Sequence, residues 1–234
     1  ITNLQTAKVT RLSSDIGQAS SAWIHPGGQR VLFASTHADP EAPTKEQQEF
    51  DRRKTAQAPY KGLKYDAHYE IYSADPKAPE DIRNLSNTLG YDAEASYSPD
   101  GTKIVFASNR HAYTKHATAD IVAHRERGPS AFIDIYMMNT DGTNMRRLTT
   151  SHSYDGEPTF SPQGHRIAWK RFSEDGSQSE IWTMDTDGSN QRMITELGAV
   201  SSAPFYHPSG DYIIFTTNLH AQSNFELHIV DSRG

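Results

Sequence analysis

The 234-residue sequence contains no cysteine, which rules out structural disulfides and thiolate zinc sites. It also lacks any apolar stretch near the roughly 20 residues of a membrane-spanning helix. A basic excess is missing too: 23 lysines and arginines face 29 aspartates and glutamates, a formal charge of −6. Nucleic acid and anionic membranes both select basic surfaces, so neither is expected as a partner. No Gly-x-Ser-x-Gly elbow, His-Glu-x-x-His pair or phosphate-binding loop occurs, so no catalytic residue is assigned. Ile1 opens no signal peptide, which is expected either to have been removed or to lie upstream.

What is present is a repeat. Ala22–Phe33, Ser96–Phe106, Thr159–Trp169 and Phe205–Phe215 each read as a short strand, a Pro-x-Gly turn and an apolar strand. Proline presets φ for the turn, and glycine supplies its left-handed position. A third strand follows each hairpin: Glu70–Asp75, Asp134–Asn139, Glu180–Asp185 and Glu226–Asp231. Fourth strands end in Arg83–Ser86, Arg146–Thr149 and Arg192–Thr195. Four antiparallel strands per unit describe a propeller blade, so the expected fold is an all-β propeller in one domain, 1–234. The blades fall near 14–86, 87–149, 150–195 and 196–234.

The turn prolines at 26, 99, 162 and 208 are 73, 63 and 46 residues apart. Only the last spacing is near a usual blade period of about 40–45. The excess lies between second and third strands, near 36–68 and 109–132. Both insertions are polar and are expected as surface loops or short helices. Ala7–Ser13 reads as the closing strand of an earlier unit, and Asp231–Gly234 stops after a third strand. A piece of a longer propeller is therefore expected.

Ser98–Ser108 followed by Asp134–Thr149 closely resembles the PD40 (WD40-like) repeat of TolB-like propellers. The other copies depart from it: His25 and His207 replace the serine, and Gly27, Gln163 and Ser209 replace the aspartate. The resemblance implies a six-bladed family of which four blades are visible. It also implies a non-catalytic module of the bacterial cell envelope, periplasmic or secreted, that binds a protein, peptide or other ligand. The alternatives it leaves open are a propeller accessory to a metallopeptidase-type hydrolase domain and a histidine–metal oligogalacturonide lyase.

In an up-and-down blade, the tight turns share one face and the insertions share the other with the fourth-to-first connections. Those connections carry Tyr91, Asp92 and Glu94, and Tyr154, Asp155 and Glu157. If the four carboxylates converged at the channel mouth, they would suit a calcium ion or a partner's basic side chain. The competing reading has the aspartates capping turns and the tyrosines packing between blades. His111, His116 and His124, with Asp120 among them, share one insertion, while His37 and His68 bracket the other. Their spacing matches no zinc template, and solvated histidines are the plainer reading. Lys45–Lys54 reads as a mixed-charge helix, either solvated or facing a partner.

Overall fold

A computed structural model describes residues 9–55, 65–128, 130 and 132–234, with only the backbone at His124, Glu126 and Arg127. The strands form four antiparallel sheets. The first runs β1 (Ala19–Ile24), β2 (Val31–Ser35), β3 (Glu70–Asp75), β4 (Ala78–Asn84). The second runs β5 (Asp92–Tyr97), β6 (Lys103–Ser108), β7 (Asp134–Asn139), β8 (Arg146–Arg147). The third runs β9 (Asp155–Phe160), β10 (Arg166–Phe172), β11 (Ser179–Asp185), β12 (Arg192–Met193). The fourth has three strands, β13 (Ser201–Tyr206), β14 (Tyr212–Ala221) and β15 (Asn224–Asp231). Each sheet is one blade of a β-propeller. Ala7 and Lys8 lie outside the described residues, and Thr10–Ser13 form no strand.

The middle strands explain their own composition. In the first three blades they are covered on both faces, so their sequences are nearly continuous apolar runs, whereas β14 of the fourth blade alternates buried and exposed residues. Val31–Ser35 is buried throughout, as are Ile104–Ser108. Blades one and two meet through Leu32 and Ile71 against Tyr97, Ile104 and Phe106. Blades two and three meet through Val105, Ile135 and Met137 against Ile167, Trp169 and Met184. Blades three and four meet through Ala168 and Ile181 against Tyr206, Ile213 and Phe215. Each fully buried large side chain of this set contributes roughly 1.5–3 kcal/mol.

The Pro-x-Gly turns are built alike. In each, the glycine N–H donates to the carbonyl three residues earlier: Gly28 to His25, Gly101 to Ser98, Gly164 to Ser161 and Gly210 to His207, at 2.7–2.9 Å. The elaborated side of the molecule holds α1 (Ala42–Lys54) and α2 (Ala119–Arg127), with a 3-10 turn at Arg110–Tyr113. Gly90, with φ +142°, lets the first blade's exit pass the second insertion. A Cβ there would lie 2.6 Å from the Arg110 Cα.

Candidate functional site

The innermost strands β1, β5, β9 and β13 each break register near their centre. At each break one non-glycine residue takes a left-handed conformation: Ser21 (φ 55°), Glu94 (57°), Glu157 (55°) and Ala203 (54°). All four stand five residues before a turn proline. Such bulges cost backbone energy and re-aim a side chain. Here they turn the four residues into a shared cavity of about 440 Å³ in the channel wall. The residues three before each proline, Trp23, Ser96, Thr159 and Phe205, line the same cavity. Trp23 and Phe205 face one another across it with ring centroids 6.2 Å apart.

The two glutamates are committed to holding blades together. Oε1 of Glu94 accepts from the Tyr91 hydroxyl at 2.9 Å and from the Tyr154 hydroxyl of the next blade. Its Oε2 accepts from the Glu157 N–H at 2.7 Å. Glu157 repeats the device, with Oε2 accepting from the Ala203 N–H at 2.6 Å and Oε1 from Lys170 Nζ at 2.6 Å. Thus the carboxylate of one bulge takes the bulge N–H of the next blade. Burial, with Glu94 close by, drives the hydroxyls of Tyr91 and Tyr154 far above the ordinary tyrosine range.

Asp92 and Asp155 do not join them. Asp92 is wholly buried and accepts from the Ser108 hydroxyl at 2.5 Å and from the Arg110 guanidinium. Asp155, also wholly buried, takes a two-pronged contact from Arg171, 2.7 Å to each oxygen. Of the four carboxylates whose convergence is one of the two sequence readings, only Glu94 and Glu157 reach the cavity, and both are tied to tyrosine, lysine and backbone donors. In a regular strand Asp92 and Glu94 would share a face, but the bulge breaks that alternation. Tyr91 and Tyr154 pack with Tyr65 and Tyr69 in one aromatic cluster, at centroid distances of 5.4–5.9 Å.

The insertion histidines are not gathered. His111 is half-buried, with Nδ1 3.1 Å from the Tyr136 hydroxyl and Nε2 3.2 Å from Arg147. His116 and Asp120 are exposed, and the His124 side chain lies outside the described residues. His37 rests on Tyr72 at 4.2 Å. His68 stands beside Asp39 and Asp66, and Lys45 Nζ of α1 bridges those two carboxylates at 2.6 Å each. This lysine ties α1 to both ends of the first insertion, while Phe50 of the same helix stays exposed. Neither the aromatic pair in the channel nor the Lys45 anchor was singled out from sequence. The positions of Trp23 and Phe205 relative to their prolines could have revealed the pair.

Buried acids near these groups set a pH response. Burial pushes Glu70 and Asp134 up to about 7 and Asp92 up to about 6. Unfolded carboxyls titrate near 4, so the folded chain holds these protons more tightly. Their stabilisation is full below about pH 4 and is lost as pH rises through 6 to 7. His111 acts oppositely: burial pulls it down to about 4, so its contribution fades as pH falls below about 6.5. Calorimetry should give a higher melting temperature at pH 6.5 than at pH 8. Below pH 6.5, His111→Gln should outlast the parent. A parent more stable at pH 8 would refute this account.

Residues 119–234 match the family model PD40, the TolB beta propeller domain. The chain is a TolB-like β-propeller. TolB from Acinetobacter baumannii is similar at 21% identity with a TM-score of 0.62, over 100% of this chain and 45% of that one. A puromycin-hydrolyzing peptidase of Mycobacterium tuberculosis is 14% identical (TM-score 0.55), over 93% of this chain and 38% of that one. Oligogalacturonate lyase from Vibrio parahaemolyticus is also 14% identical (TM-score 0.52), over 100% of this chain and 68% of that one. At these identities the likeness is one of fold, and the fold serves binding proteins and enzymes alike. No curated protein sequence matches this TolB-like chain. No described helix is long and apolar enough to cross a membrane.

Proposed function

We propose that this propeller is a non-catalytic recognition module of the bacterial envelope, periplasmic or secreted, that takes an apolar segment of a protein partner into its channel. The observation that carries this reading is the cavity between Trp23 and Phe205. It is concave and aromatic, and its two carboxylates are already engaged in blade-to-blade hydrogen bonds. Aromatic side chains in a desolvated pocket are the usual anchors of protein recognition. Acid–base chemistry needs a carboxylate free to exchange a proton with substrate, and Glu94 and Glu157 are poorly placed for that. The insertion side, with Phe50 exposed on α1, supplies further contact surface.

Photo-crosslinking in the producing bacterium tests this. Benzoylphenylalanine at Phe205 should yield a discrete protein adduct, and Trp23→Ala should abolish it. The same probe at Ser209, in the tight turn of the same blade, should yield none. Equal adducts from both positions would sink the proposal.

A further inference from the structure

The hairpin of β14 and β15 carries a second constellation, unrelated to the channel. His220, Glu226 and His228 bring their ligand atoms within 4.8 Å of one another. Glu226 and His228 are two residues apart on β15, so both side chains leave the same face of the strand. His220 joins them across the hairpin because the pairing slips between Thr217 and Ala221. Its Nδ1 lies 2.7 Å from Glu226 Oε2, and its ring is 5.9 Å from that of His228.

Two features make this more than chance crowding. The other carboxylate oxygen, Glu226 Oε1, accepts from Asn224 Nδ2 at 3.0 Å, and such outer contacts orient a ligating carboxylate. Phe215 backs His228 at 5.9 Å, so the imidazole rests on an apolar shelf anchored in the core between blades three and four. The paired residues Phe215 and His228 share a sheet face directed at blade three. The hairpin's apolar side, with Leu227 and Ile229, points the other way. Packing against that apolar side would leave the three ligands open.

We propose that His220, Glu226 and His228 form a binding site for a divalent first-row transition metal, zinc foremost. Two imidazoles with one carboxylate suit zinc, nickel or copper, whereas calcium and magnesium prefer sites built from oxygen alone. Three protein ligands leave a fourth position for water or a partner's side chain. Tetrahedral zinc places its ligands about 3.3 Å apart, which small rotations of these exposed side chains reach.

The test uses the tag-free full-length protein competing with a chromogenic chelator for zinc. The parent should take one equivalent that His220→Ala and His228→Ala each weaken at least about tenfold, and Glu226→Gln should also weaken it. Zinc should raise the parent's melting temperature by mass action and leave the variants unmoved. Because His220 and Glu226 are exposed and His228 is only half-buried, the variants should melt close to the metal-free parent, which confirms their folding. Zinc uptake equal in parent and variants would overturn the proposal, as would no uptake at all. Displacement of zinc by millimolar calcium would overturn the assigned metal class.

Discussion

Arg171→Met is expected to cost about 3–5 kcal/mol, because it removes one partner of a buried ion pair and leaves the other charged and dry. Asp155 has no solvent exposure, and both its oxygens accept from Arg171. Methionine keeps much of the packing against Trp182, over which the guanidinium now sits at 4.6 Å. Lost charge therefore dominates the effect. Thermal melts followed by circular dichroism should show a midpoint roughly 10 °C lower. Adding Asp155→Asn should restore most of the loss, since the buried charge is then gone. A single variant within 2 °C of the parent, by the same scale, would show that water reaches Asp155 after all.

Glu94→Ala is expected to cost about 3 kcal/mol or more. It strands the Tyr91 and Tyr154 hydroxyls and the Glu157 N–H, and each unsatisfied buried donor costs about 1–3 kcal/mol. Both tyrosines are buried, so water cannot simply replace the carboxylate. Glu157→Ala removes the equivalent clamp at the next seam but should cost less, because the Glu157 side chain is 31% exposed. Glu94→Gly separates two effects: it relieves the left-handed backbone while still losing the clamp. Urea titrations should rank the midpoints parent, Glu157→Ala, Glu94→Gly, Glu94→Ala, from most to least stable. A Glu94→Ala midpoint at or above that of Glu157→Ala would remove the clamp from the account.

Sequence and structure agree where the physics is local. Ser98-Pro99-Asp100-Gly101 writes its own turn, and Ile104–Phe106 reads as a buried strand because both faces are covered. The clamp residues stand at one fixed distance before each proline, so the repeat places them even though it does not say what they do. Asp92 misled for a definite reason. Strand alternation puts it beside Glu94, and only the bulge, which leaves no plain sequence mark, turns the two apart. The links inside the first insertion were illegible because Lys45 meets Asp66 across 21 residues of non-repeating chain. His220 was likewise hidden, since a register slip rather than sequence spacing brings it to Glu226.

At the seams between blades two and three and between three and four, the acceptor belongs to one blade and the donor to the following one, which gives these blades a grammar of succession. A unit whose first strand carries a glutamate bulge can be followed by any unit offering a bulge N–H, so blades two and three should exchange places and keep a bulge-to-bulge hydrogen bond at each seam. Blade four carries Ala203 at that position and has no acceptor to offer its successor. Recombination that inserts blade four between two others should therefore yield a looser ring than recombination that duplicates blade two. The hydrogen bonds that furnish the channel also decide which blade orders can be shuffled.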